Sequence, residues 1–283
     1  YIDNLSLSIE ADDGSGFVVQ GSIYGRESGG SPDRENFPVI IKTDNASEVQ
    51  YYLALNYNTD TSKFYSWDAR GIYSNSGDTN VYGFIGVEKR IGFNNQNTVW
   101  FYVVSDTGSS FEVNHRVDIT NISSSMKLND ISWKHKEFAI HSMYKGQDAR
   151  LVVLGQSDSG QDVIASYWID FPEDGSSGTH RLDGWNTIPD SDWYEMMNGI
   201  GTGNVYFACQ SGSDILVRKY SQDTASVTDE IIIDVDGNNS DDRFGGITHN
   251  NETGNGHGIV ITGSTKCTTC NDFDGFIIEL NES

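Results

Sequence analysis

The stretch Asp234–Asp242, DVDGNNSDD, holds the residues best spaced for chemistry. Asp234, Asp236, Asn238, Ser240 and Asp242 stand at alternate positions, and alternate oxygen ligands in a tight polar loop are what a hard cation such as Ca2+ requires. The loop departs from the EF-hand pattern, because Asn239 stands where the sharp-turn glycine would and no glutamate occupies the twelfth position. Asp-Gly and Asn-Asn are also ordinary turn formers, so a plain turn is the competing reading. If the loop carries a cofactor, that cofactor is Ca2+. Two other acidic stretches, ADDGSG (Ala11–Gly16) and NDFDG (Asn271–Gly275), read as turns.

Cys267 and Cys270 enclose two threonines and form the second candidate. A thioredoxin-like redox motif needs a helix after a strand, and no helical pattern follows this pair. A zinc site needs four ligands, but the remaining cysteine, Cys209, sits in a strand-like apolar run and no histidine pair is suitably spaced. A local disulfide between Cys267 and Cys270 is the simplest account, and it fits an oxidising compartment. Cys209 reads as a small buried hydrophobe.

Signatures of enzymes are sparse. The chain has no G-x-S-x-G elbow, no H-E-x-x-H and no phosphate-binding Gly-Lys-Ser loop. His115, His135, His141, His180, His249 and His257 are scattered without ligand spacing. A glycosidase would need paired carboxylates, but with 41 acidic residues such pairs can always be found, so their presence decides nothing. No catalytic residue is therefore assigned, and a carbohydrate-active enzyme is the alternative reading. Exposed aromatics beside acids and amides stack on sugar faces or anchor protein partners. Trp67, Trp185, Trp193 and Tyr194 stand in such polar contexts, which suggest loops or strand ends, and are the expected ligand-binding residues, with packing between blades the competing reading for each tryptophan. Trp100 and Trp168 lie in apolar runs and read as core.

The elements that must position these residues are short strands. The 283 residues include 30 glycines but only 4 prolines, and turn-forming clusters separate β-branched and aromatic runs. A net charge of −23 repels phosphate, which argues against nucleic acid and anionic membranes as partners. No run approaches the roughly 20 apolar residues of a membrane span. The sequence begins at YIDNLSLSIE without an initiator methionine, as a processed secreted protein or an excised piece would. Asn-x-Ser/Thr sequons at Asn4, Asn45, Asn121, Asn238, Asn251 and Asn281 add modest support for an extracellular or cell-surface address and a glycoprotein.

A repeat organises the strands. The run GIVITGS (Gly258–Ser264) has counterparts in GFVVQGS (Gly16–Ser22), VYGFIGV (Val81–Val87), LVVLGQS (Leu151–Ser157) and VYFACQS (Val205–Ser211). An apolar strand follows each, such as FPVIIKTD (Phe37–Asp44) or DGFIIELN (Asp274–Asn281), and usually a more polar third one, such as FEVNHRVDI (Phe111–Ile119). A weaker strand precedes the unit, as in LSLSIEA (Leu5–Ala11). Four short strands recurring about every 50 residues are the signature of propeller blades. An immunoglobulin-like tandem would need units of about 100 residues. The expected fold is all-β: a β-propeller of four-stranded antiparallel blades in one domain, 1–283. About five units are visible, at approximately 5–66, 67–127, 128–192, 193–242 and 243–283. The fifth lacks its outer strand, so either Tyr1–Asn4 supplies it or the ring is larger and the chain continues, with neighbouring domains or subunits.

The pattern GIVITGST…NDFDGFIIELN, with echoes in GFVVQGS…FPVIIKTD and NVYFACQSGSDILVRKYSQD, resembles the repeat of secreted bacterial and archaeal propellers of the SBBP and delta-60 types. The likeness implies secretion or surface display, often adhesion, and brings no shared catalytic set. The Asp234–Asp242 loop is similar to calcium loops between strands of other propellers. SDTGSSF (Ser105–Phe111) resembles, once, the Asp-box turn of sialidase-like blades, without a convincing arginine triad. The expected function is non-enzymatic binding of a glycan or surface protein. A structural subunit of a surface filament or layer is the third reading.

Overall fold

The computed structural model describes residues 2–11, 14–26, 34–55, 64–74, 81–91, 97–131, 138–141, 148–170, 179–189, 194–198, 204–235, 241–250, 258–266 and 272–281. The first sheet orders β1 (Ile2–Glu10), β2 (Phe17–Arg26), β3 (Arg34–Thr43) and β4 (Val49–Ala54). The second orders β5 (Phe64–Ser74), β6 (Val81–Ile91), β7 (Asn97–Asp106) and β8 (Phe111–Asp118). In the third, the first strand comes in two pieces, β9 (Leu128–Ile131) and β10 (Phe138–His141). Both pair with β11 (Asp148–Ser157), which continues to β12 (Asp162–Asp170) and β13 (His180–Thr187). The fourth holds β14 (Tyr194–Asn198), β15 (Asn204–Ser211), β16 (Asp214–Ser221) and β17 (Val227–Ile233). The fifth holds β18 (Asp242–Asn250), β19 (Gly258–Lys266) and β20 (Phe273–Asn281). Every pairing within these sheets is antiparallel between sequence neighbours, apart from the divided strand.

Strand alternation turns these sheets into stacked blades, because successive side chains point to opposite faces. In the third sheet, Leu151 and Val153 meet Phe101 and Val103 of the second, while Val152 and Leu154 meet Val205 and Phe207 of the fourth. The same logic joins Val18 and Ile40 of the first sheet to Phe84 and Tyr102 of the second. It also joins Ala208 and Val217 of the fourth to Ile259 and Ile261 of the fifth. Four apolar interfaces thus link five sheets in chain order. This is the arrangement of propeller blades, and it explains why the middle strands are apolar on both faces.

Polar groups fix the blades against one another. Lys42 and Asp106, both almost fully buried, pair at 3.4 Å across the first two blades. The Asp106 carboxylate also accepts from the Tyr51 hydroxyl and from the Gly108 amide at 2.8 Å, so the SDTGSSF turn is a blade clamp. Between the third and fourth blades, Arg150 reaches Asp183 at 3.3 Å and Asp223 at 2.7 Å. Beside them, Gly184 lies so close to Thr224 that a Cβ there would stand 1.9 Å from the Thr224 carbonyl oxygen.

Three expectations need correction. Ile2–Asn4 begin β1, with Ile2 opposite Ile23 and Asn4 opposite Ser22, so they do not complete the fifth blade. Phe273–Gly275 are strand rather than turn, since Asp274 and Gly275 pair with Thr265 and Ser264. Trp67, expected in a loop or at a strand end, lies inside β5 opposite Glu88.

Candidate functional site

A glycine-led hairpin starts the strongest site. Gly212 has φ +64° and Ser213 does not share that region, so the two-residue turn between β15 and β16 is of type II′, matched to strand twist. It presents Asp214 at the start of β16, half-buried, with its Oδ1 accepting from the Ser213 hydroxyl at 3.1 Å. Asp234 directly follows β17 and is exposed. Asp242 opens β18 and is fully buried.

The chain fastens Asp242 from several sides. Its amide donates to the Ser213 carbonyl at 2.7 Å, and its Oδ2 accepts from the Val235 amide at 2.7 Å. Gln210 donates to the Asp242 carbonyl, and its own Oε1 accepts from the Phe244 amide at 2.9 Å. Gln210 Nε2 also lies 3.1 Å from the carbonyls of Gly212 and Asp214, so one side chain holds both the hairpin and the entry to the fifth blade.

Oxygens from Asp214, Asp234 and Asp242 lie within 4.8 Å of one another. Carboxylates held that close repel one another unless something positive lies between them. The buried Asp242 Oδ1 takes no hydrogen bond. A buried carboxylate oxygen without a donor is costly. An oxygen-only cluster of three carboxylates can offset both penalties by coordinating a hard cation.

Of the five residues expected to hold calcium, the structure brings together Asp234 and Asp242. Asp236, Asn238 and Ser240 lie outside the described residues. Asp214 was missed because it belongs to a different hairpin. Only the antiparallel register, which puts the β15–β16 turn beside the exit of β17, brings it near.

The aromatic candidates separate. Trp185 is on β13, not in a loop, and is 38% exposed. Tyr194 is in β14, opposite Cys209, and Trp67 is in β5; Trp193 lies outside the described residues. Trp100 is partly buried under Arg116, whose guanidinium is 3.5 Å from the ring centroid. Cys267 and Cys270 lie outside the described residues. Cys209 is fully buried and unbonded, and burial pushes its thiol up to about 12.

A second surface was not anticipated. Among the described residues, ten large hydrophobic ones stand exposed, and nine of these are on the last strand of their sheet. They are Val49 and Tyr52 on β4, Val113 on β8, Trp185 on β13, Val227, Ile231 and Ile232 on β17, and Phe273 and Ile277 on β20. The last strand of each four-stranded blade is the one farthest from the propeller axis. The seven on β4, β8, β13 and β17 therefore mark its rim, whereas β20 is the third strand of a three-stranded sheet.

No protein-family model matches the chain, and no curated protein matches it. Among solved structures, it is similar to the β-propeller domain of Nup133 from Vanderwaltozyma polyspora. The identity is 11% and the TM-score 0.35, over 91% of this chain and 68% of that one.

Proposed function

We propose that this chain is a non-enzymatic extracellular binding propeller that recognises a glycan or a surface protein through its rim. The observation that carries this reading is the concentration of exposed apolar side chains on the last strands. Tyr52 is 63% and Ile232 61% exposed, on two different blades. Solvent-facing aliphatic and aromatic groups on otherwise polar strands are characteristic of interaction surfaces. Tyr52 and Trp185 supply flat rings on which a sugar can stack. Asn45, Asn121 and Asn281, three of the sequon asparagines, are exposed, which suits an extracellular glycoprotein. The repeat likeness to SBBP-type and delta-60-type propellers belongs to the same proposal.

The test is a broad glycan array probed with the wild-type chain and with Trp185→Ala and Tyr52→Ala. Saturable binding that these variants lose while keeping their circular dichroism supports a rim lectin. Release of free sugar from the bound glycan contradicts it and favours a carbohydrate-active enzyme.

A further inference from the structure

We propose that Asp214, Asp234 and Asp242 bind one calcium ion that ties the fourth blade to the fifth. Two carboxylate oxygens that share an ion at roughly 2.4 Å each can stand at most about 4.8 Å apart. That is the span within which the three carboxylates already lie. The second, independent mark is Asp242, which is fully buried and keeps one carboxylate oxygen without a donor. Its other oxygen is taken by the Val235 amide, so the group is oriented rather than free to turn toward solvent.

The ligand set selects the metal class. Oxygens alone, with no thiol or imidazole among the three residues, suit a hard cation rather than zinc or copper. Calcium accepts irregular, water-completed coordination, whereas magnesium demands near-octahedral geometry. Asp234 is exposed, which leaves a side from which the ion enters and water completes its shell.

The ligands also define what the ion does. Asp214 comes from the hairpin of the fourth blade, Asp234 from the residue just after its last strand, and Asp242 from the first residue of the fifth. An ion held by all three closes the inter-blade connection at both ends. Its binding is then linked to the docking of the fifth blade, because a ligand that binds only the assembled corner stabilises it.

The experiment is calorimetric titration of chelator-treated protein with calcium alone, then with magnesium alone. Wild type is expected to bind one calcium per chain, with magnesium at least tenfold weaker. Asp214→Asn and Asp234→Asn are expected to weaken calcium at least tenfold, and Asp242→Asn to abolish binding. Asp241→Asn, which removes an exposed neighbouring carboxylate already paired with Arg243 at 3.1 Å, is expected to change nothing. Asp234 is exposed, so its variant keeps the test valid even if Asp242→Asn does not fold. Absence of calcium binding by wild type, or equal binding by wild type and Asp234→Asn, overturns the proposal.

Discussion

Replacing Lys42 by methionine removes one half of a buried ion pair while keeping most of the side-chain volume. Lys42 and Asp106 side chains are only 5% and 2% exposed, so solvent screens the pair little. Breaking such a pair leaves an uncompensated buried carboxylate, at a cost of about 3–5 kcal/mol. Unfolding entropy of about 2.1 cal/mol/K per residue, over 283 residues, converts this into a drop of about 5–8 °C in melting temperature. The double variant Lys42→Met/Asp106→Asn removes both charges. It keeps an oxygen acceptor for the Tyr51 hydroxyl and the Gly108 amide, the two donors that Asp106 serves. It should recover more than half of the loss, since neutralising both partners of a buried pair is far cheaper than orphaning one. Urea unfolding and thermal melts at pH 7 on the four proteins of this cycle supply the numbers. A loss below about 1 kcal/mol for Lys42→Met, in the range of exposed pairs, would refute the buried clamp between the first two blades.

Two further outcomes are expected. Gly184→Ala should destabilise the chain by about 1–3 kcal/mol, because its Cβ would meet the Thr224 backbone at 1.9 Å and force the third and fourth blades apart. A urea midpoint equal to wild type would mean the blades do not approach so closely. His115 is held below its ordinary value of 6.5, chiefly by burial and then by His180, with Asp170 opposing. The folded state therefore disfavours the proton. His115's share of stability is whole above about pH 6.5 and is lost as pH falls through that value toward the lower folded one. Urea midpoints between pH 7.5 and 5.5 should fall less steeply for His115→Gln than for wild type, and parallel slopes would contradict this.

The architecture was legible because alternation and turn residues act locally. GFVVQGS, VYFACQS and GIVITGS became β2, β15 and β19, and each is followed by the antiparallel partner its neighbouring apolar run implied. The divided first strand of the third blade was not legible: β9 and β10 are four residues each and carry too few apolar positions for a period to register. The last strands were expected to be polar, and β17 shows the limit of that rule. Ile231 and Ile232 are apolar and yet face solvent, since an edge strand's burial depends on what packs beside it. The cation cluster was half legible. Spacing pointed to Asp234 and Asp242, whereas Asp214 arrives through tertiary register that no local pattern encodes.

Radical footprinting of the chain with and without a glycan retained on the array tests the central claim most directly. Rim recognition predicts protection of Tyr52, Trp185 or Ile232, the exposed side chains of the outermost strands. Protection confined to the first strands of the blades, with β4, β8, β13 and β17 unchanged, would contradict it and place the partner at the propeller axis.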